Sequence, residues 1–154
     1  MVGIQTLEDF GKKLETFRFA VLHHSLPDGA ERGSHWDLLL EQPPILGDGL
    51  KTFEIQVPPE DWGETTIARQ LPDHRRFYLN YEGQVSGDRG QVAQVMEGHI
   101  QWQSISKHSM ILAIQFANFH SNPKLDLPVR GVLILSKLVG DSREELWELK
   151  LEMN

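Results

Sequence analysis

The chain contains no cysteine, which limits both its redox chemistry and its possible metal ligands. Disulfide bonds and thiolate metal sites are excluded, so any metal ion must be held by histidine, aspartate, glutamate or backbone oxygen. The sequence also lacks a run of about 20 apolar residues, the length that spans a bilayer, and a basic segment followed by an apolar one at its start. We therefore expect a cytoplasmic protein with no membrane partner.

Positive charge is scarce as well. The 15 lysine and arginine residues are outnumbered by 22 aspartate and glutamate residues, which gives a formal net charge of -7. A protein that coats nucleic acid through a broad basic surface needs many phosphate contacts, and this composition argues against that class of protein. A small local site for one phosphate-bearing end is compatible with it.

The length and composition correspond to one domain over residues 1–154, because 40% of the 154 residues are hydrophobic and suffice for a core. Residues 6–16 place Leu7, Phe10 and Leu14 at helical spacing. This spacing predicts a short N-terminal helix. No repeat and no linker divides the rest of the chain.

After this segment the sequence consists of short alternating runs broken by proline, glycine and aspartate, a pattern typical of antiparallel strands. We predict a mainly β fold, namely a small antiparallel β-barrel of about eight to ten short strands. Glu97-Gly98 predicts a tight hairpin turn between two of them. The predicted strands are residues 17–24, 34–41, 50–57, 65–71, 77–81, 92–96, 99–103, 110–119, 131–138 and 146–151.

Two neighbouring strand-like runs carry the polar residues that point to chemistry. The first run ends at His24, and the second carries His35 and Asp37. Because residues two apart share a face of a strand, His35 and Asp37 point the same way. A hairpin that pairs His24 with His35 also pairs Leu22 with Asp37, and it places His24 on that same face. The pattern therefore predicts a metal site made of His24, His35 and Asp37.

Two imidazoles and one carboxylate suit a borderline divalent ion, and they leave coordination positions open for a substrate oxygen or water, as in a catalytic site. Two alternatives remain open. His35 and Asp37 could be polar residues on a solvated strand face. Alternatively, the chain could be a two-histidine-one-carboxylate Fe(II) oxygenase, in which a distant histidine such as His99 or His120 completes the site with His35 and Asp37.

Short motifs extend this pattern over most of the chain, from residue 18 to residue 150. In these positions and in this order the chain resembles the 3'-phosphoesterase domain of bacterial DNA ligase D. The matching motifs are Phe19 to His24, His35-Trp36-Asp37-Leu38-Leu39-Leu40-Glu41, Leu50-Lys51-Thr52-Phe53, Val57-Pro58, Asp73-His74, Tyr81-Glu82-Gly83, Gly131-Val132-Leu133 and Trp147-Glu148-Leu149-Lys150.

The resemblance implies a small β-barrel that binds Mn²⁺, or a similar ion such as Zn²⁺ or Co²⁺, and removes 3'-phosphates and 3'-ribonucleotides from primer ends in DNA repair. It implies that His24, His35 and Asp37 are the metal ligands. His74 would contact the scissile phosphate or act as general acid, a task for which imidazole is suited. Arg69, Arg75 and Arg76 would grip the phosphate. The implied partners are the 3'-end of DNA or RNA and a separate ligase or polymerase.

The chain also departs from the family at positions that bind phosphate. Leu39 stands where the family has an arginine that reaches the phosphate, and Pro59, Thr66 and Pro72 replace other charged residues. Charge-assisted arginine contacts do much of the work of holding a transferring phosphoryl group. Their loss suggests a second hypothesis, in which the barrel has weak or no catalysis and binds nucleic-acid ends or another protein.

Overall fold

The alternating runs form nine strands in the computed structural model, which describes residues 15–27, 29, 33–85, 87, 89–116, 129–140 and 144–154. Three short 3₁₀ helices, Pro44–Leu46, Pro59–Asp61 and Arg76–Asn80, lie between strands. The strands are β1 (Phe17–Ser25), β2 (His35–Leu40), β3 (Leu50–Ile55), β4 (Thr66–His74), β5 (Gly83–Gln84), β6 (Gln91–Ile105), β7 (Ser109–Phe116), β8 (Val129–Lys137) and β9 (Leu146–Met153).

The strands form one sheet that closes on itself. Its order is β1-β2-β3-β4-β9-β8-β7-β6, and β1 pairs back with β6 to complete an eight-stranded antiparallel barrel. The two-residue strand β5 adds to the outside of this ring by pairing with β6. The prediction of a mainly β fold, a small antiparallel barrel of about eight to ten strands, is therefore confirmed.

Apolar residues pack on both faces of the barrel wall. Because alternate residues point to opposite faces, β1 gives Phe19 and Val21 to the interior and Ala20 and Leu22 to the exterior. We call the exterior group the outer cluster. Its members are Ala20, Leu22, Leu39, Leu50, Leu79 and Val92, and Tyr78, Tyr81 and Val85 pack against them. Residues of the segment after β4 thus cover part of the outer surface of β1, β2 and β3.

The hairpin turn predicted at Glu97-Gly98 is wrong, because both residues lie inside the single long strand β6. Gly98 pairs with Phe19 on one side and with Phe116 on the other. A Cβ added at Gly98 would lie 2.1 Å from the backbone oxygen of Gln115. The glycine therefore marks a close approach of two strands and not a turn.

The strand predicted at residues 77–81 is also wrong, since this stretch falls in the 3₁₀ helix Arg76–Asn80. Its alternation of large apolar residues arises from packing of Leu79 and Tyr78 onto the outer cluster. The predicted N-terminal helix lies outside the described residues, apart from residues 15 and 16, which are not helical. Within the described ranges, no helix is long and apolar enough to cross a membrane.

Candidate metal centre

The hairpin of β1 and β2 has the register that the sequence predicted. His24 pairs with His35 and Leu22 pairs with Asp37. This register places His24, His35 and Asp37 on the outer face of the barrel wall, next to the outer cluster. Leu22 precedes His24 by two residues in β1, and Leu39 follows Asp37 by two residues in β2. The predicted convergence of the three side chains is confirmed.

The three side chains present one candidate ligand atom each, and these atoms all lie within 4.8 Å of one another. Nε2 of His35 is 3.2 Å from Oδ1 of Asp37, and Nδ1 of His24 is 3.6 Å from Oδ2 of the same carboxylate. Donor atoms that share an ion at about 2.0–2.2 Å are separated by about 3–4 Å. We call these three residues the metal group.

The opposite nitrogen of each imidazole contacts a backbone carbonyl. Nε2 of His24 lies 2.5 Å from the carbonyl oxygen of Arg89, and Nδ1 of His35 lies 3.3 Å from that of Gly33. A carbonyl only accepts hydrogen bonds, so these nitrogens are the donors. In the neutral rings, Nδ1 of His24 and Nε2 of His35 then carry lone pairs that face Asp37. This arrangement of a ring nitrogen held by an outer acceptor is common for metal-binding histidines.

Asp37 is the centre of the group and is only 4% exposed. Burial alone would raise its pKa, but hydrogen bonds and positive charge from His24 and His35, which these rings supply when protonated, outweigh this effect and lower the pKa of Asp37 from 3.8 to about 2. With both rings neutral, the buried Oδ1 atom has no hydrogen-bond partner. A carboxylate and two ring lone pairs that face one another need positive charge between them, so the residues fit a divalent cation.

A second carboxylate, which the sequence did not single out, borders the metal group. Glu54 of β3 pairs with Asp37 and is 7% exposed. Its Oε1 atom lies 3.7 Å from Nε2 of His35 and 3.1 Å from Nη2 of Arg69. Arg69 is thus the predicted phosphate-binding arginine that lies beside the group. Glu54 could have been found only by pairing the second and third strands in register.

The other predicted site residues lie further along the same outer face. His74 pairs with Leu50, four residues along β3 from Glu54, and Arg76 forms an ion pair with Glu41, four residues along the chain from Asp37. Four strand residues cover about 13 Å. Arg75 contacts the ring of Phe77 at 5.7 Å. The structure therefore separates His74, Arg75 and Arg76 from the metal group by about the length of four strand residues.

The remaining histidines occupy other surroundings. His23 points away from His24, as predicted, and stacks on Trp36 with ring centroids 4.7 Å apart. Burial lowers the pKa of His23, and His35 and His24 lower it further. His99, a candidate third ligand of an oxygenase site, lies in β6 opposite Gln115, outside the metal group. His120, the other candidate, lies outside the described residues.

The chain matches no model of a protein family and no curated protein sequence. Fold and site together define the class of protein, namely a closed antiparallel barrel with a histidine and aspartate cluster on its outer wall. The resemblance to the ligase D phosphoesterase domain depends on the motifs given above, and what it implies for activity stays a prediction.

Proposed function

We propose that this protein is a metal-dependent phosphoesterase that removes phosphate or a ribonucleotide from the 3'-end of DNA or RNA in repair, beside a separate ligase or polymerase in the cytoplasm. The observation that carries the proposal is the metal group, in which His24, His35 and Asp37 direct three donor atoms at one another within 4.8 Å. The type of substrate rests on the ordered motifs shared with the ligase D domain.

His24, His35 and Asp37 would hold the ion, with Mn²⁺ as the expected metal and Zn²⁺ or Co²⁺ as substitutes. A divalent cation bound to two imidazoles and one carboxylate supplies Lewis-acid polarisation of a phosphoryl oxygen and lowers the pKa of water. The backbone carbonyls of Gly33 and Arg89 fix the ring orientation of the two histidines. Burial of Asp37 keeps water from competing for its oxygens.

Arg69 is the cation best placed to neutralise a phosphate at the metal group. Its Nη2 atom is held 3.1 Å from Oε1 of Glu54, which in turn borders His35. Its Nη1 atom lies 3.9 Å from Oε1 of the exposed Glu144, so a phosphate at the metal group would take the place of that carboxylate on the guanidinium. Arg69 would therefore replace the family arginine whose position is Leu39. His74 and Arg76, about 13 Å away along the strands, would contact another part of the substrate.

The proposal is tested with purified protein, a 3'-phosphorylated oligonucleotide and Mn²⁺. We expect release of inorganic phosphate, which His35→Ala and Asp37→Ala abolish and which chelation of the metal stops. His108→Ala, at an exposed position outside the metal group, is the matched control and leaves the rate unchanged. Absence of phosphate release with Mn²⁺, Zn²⁺ and Co²⁺ alike would refute catalysis.

Leu39 favours a second candidate function, binding of nucleic-acid ends without hydrolysis. Leu39 is 0% exposed and belongs to the outer cluster, so the position of the family arginine is filled by apolar packing. A protein of this kind would bind Mn²⁺ and a 3'-phosphorylated oligonucleotide, and loss of both in Asp37→Ala without any phosphate release by the parent would identify it.

A further inference from the structure

Three aromatic residues form a continuous surface near the 3₁₀ helix Arg76–Asn80, and we call them the aromatic ledge: Phe77, Tyr78 and Tyr81. The ring centroids of Phe77 and Tyr78 are 4.1 Å apart, and those of Phe77 and Tyr81 are 5.5 Å apart. Tyr78 and Tyr81 pack against the outer cluster. Phe77 is 50% exposed and is the one aromatic among the exposed large apolar residues of the described ranges.

Phe77 contributes little to the attachment of its segment to the barrel. Leu79 and Tyr78 attach this segment, whereas half of the Phe77 side chain faces water. An exposed ring that continues into two further aromatic rings offers a flat surface on which a base can stack.

Two arginines and a histidine border the ledge. The guanidinium of Arg75 lies 5.7 Å from the centroid of the Phe77 ring, and the His74 ring lies 5.7 Å from that of Tyr78. Arg76 follows directly and forms an ion pair with Glu41. In a chain of net charge -7, Arg75 therefore supplies the positive charge at the exposed aromatic surface. Aromatic rings combined with arginine are the features that bind single-stranded nucleic acid.

The ledge and the metal group lie on the same outer face. The ledge packs on the outer cluster, which includes Leu22 and Leu39, the strand neighbours of His24 and Asp37. His74, next to the ledge, pairs with Leu50 of β3. Leu50 lies four residues, or about 13 Å along the strand, from Glu54 beside the metal group. At the stacked spacing of about 3.4 Å per nucleotide, this distance corresponds to about four nucleotides.

We infer that the aromatic ledge stacks on an unpaired base of a single-stranded polynucleotide whose 3'-end reaches the metal group. The inference rests on the proposed function and specifies its substrate as a single-stranded end. In a duplex the internal bases are stacked on both faces, and a ledge about four nucleotides from the 3'-end would meet such bases, so the ledge selects unpaired strands. Arg75 would contact the phosphate backbone next to the stacked base.

The test measures binding, not catalysis. Fluorescence anisotropy of a labelled single-stranded oligothymidylate of about 12 nucleotides with a 3'-hydroxyl, in the presence of EDTA, reports the ledge without the metal or the reaction. Phe77→Ala should weaken binding about tenfold, a typical loss for one stacked base. Phe77→Trp should keep or strengthen binding. Ile45→Ala, at a residue that is 92% exposed elsewhere on the surface, is the matched control and leaves binding unchanged.

Two further variants separate stacking from folding and from charge. Phe77→Leu keeps apolar bulk but has no aromatic face, so it should bind as weakly as Phe77→Ala while its unfolding midpoint stays near that of the parent. Arg75→Gln should weaken binding and reduce the salt dependence by about one phosphate contact.

The inference is overturned if the parent does not bind the oligonucleotide, if Phe77→Ala binds as well as the parent, or if a blunt duplex competes as strongly as a single strand. Because the assay contains no divalent metal and the oligonucleotide carries no 3'-phosphate, these outcomes are independent of phosphatase activity. Binding that depends on Phe77 in a protein that releases no phosphate refutes the proposed hydrolysis and leaves the stacking site intact.

Discussion

Two parts of the outer barrel surface carry histidine together with other polar side chains, and they differ in how those side chains are placed. On β1 and β2 the metal group is largely buried, and its donor atoms converge. On β6, β7 and β8 a cleft of about 420 Å³ is lined by His99, Gln101, Gln115 and Arg130 among others. Here the functional groups are spread along the strands, and the described residues place no carboxylate side chain in the lining.

The comparison shows that histidine and polar side chains on the wall of this barrel form a cation site only where the strand register brings them together. In the metal group both imidazoles are oriented by a backbone carbonyl, and the central carboxylate is buried. These are the conditions under which a protein binds a cation tightly.

The largest expected difference is in metal affinity. His35→Ala should lower the affinity for Mn²⁺ by more than about 100-fold, the upper end of the loss for residues that only orient a ligand. His99→Ala removes a histidine from the cleft on β6, β7 and β8 and should change the affinity by less than about twofold. Isothermal titration calorimetry of both variants tests this. Equal losses in the two variants would place the ion outside the metal group.

The next effect concerns Gly98 in β6. This residue pairs with β1, a strand of the metal group, on one side and with β7, a strand of the cleft, on the other. Gly98→Ala should destabilise the fold by about 2–3 kcal/mol, because the new methyl group meets the backbone oxygen of Gln115 at 2.1 Å and the strands must separate. Gly63→Ala is the matched control, since a Cβ added there meets no atom within 4 Å. Urea unfolding of both variants measures the difference. Equal stability of the two variants would contradict the close pairing of β6 with β7.

The third effect is a pH dependence of the free energy of unfolding, and it arises from Asp37 in the metal group. The pKa of Asp37 is about 2 in the folded protein, below its ordinary value of 3.8, so the unfolded chain binds more protons between these values. Stability from this group is present above about pH 4 and is lost as the pH falls towards about 2, by up to about 2 kcal/mol. In the metal-free protein, Asp37→Asn should lack this loss in urea unfolding.

The control for this experiment is Asp61→Asn, which removes one exposed carboxylate at the end of a 3₁₀ helix. It should retain the pH dependence of the parent between about pH 5 and about pH 2.5. If Asp37→Asn and the parent lose stability in parallel over this range, the imidazoles do not stabilise the Asp37 carboxylate in the folded protein.

The sequence predicted the metal group because its information is local. His24, His35 and Asp37 lie on two consecutive strands that pair with each other, so period-two alternation and one hairpin register determine their common face. Gly98 misled the prediction because a glycine between alternating runs is compatible with a turn and with a close strand approach. Only the pairing of β6 with β7 decides between them.

The positions of Glu54 and His74 could not be predicted in the same way. Glu54 reaches the metal group because β3 pairs with β2, and His74 is distant because it pairs with Leu50 at the opposite end of β3. Both facts depend on registers across connections that contain the 3₁₀ helices Pro44–Leu46 and Pro59–Asp61, and alternation alone does not determine those registers. The burial of Leu39 in the outer cluster likewise involves Leu79, from a segment that follows two strands later.

The smallest expected effect tests whether Glu54 contributes to metal binding by the metal group. Its Oε1 atom is 3.7 Å from Nε2 of His35, so its negative charge should favour a cation held by that nitrogen. Glu54→Gln keeps the shape and removes the charge, and we expect about a tenfold loss of Mn²⁺ affinity, the lower end of the range for residues beside a ligand. Glu97→Gln, at an exposed position in β6, controls for the loss of one negative charge. An unchanged affinity for Mn²⁺ in Glu54→Gln would mean that Glu54 serves only to hold Arg69. In that case the variant should raise KM for a 3'-phosphorylated oligonucleotide while the metal site remains intact.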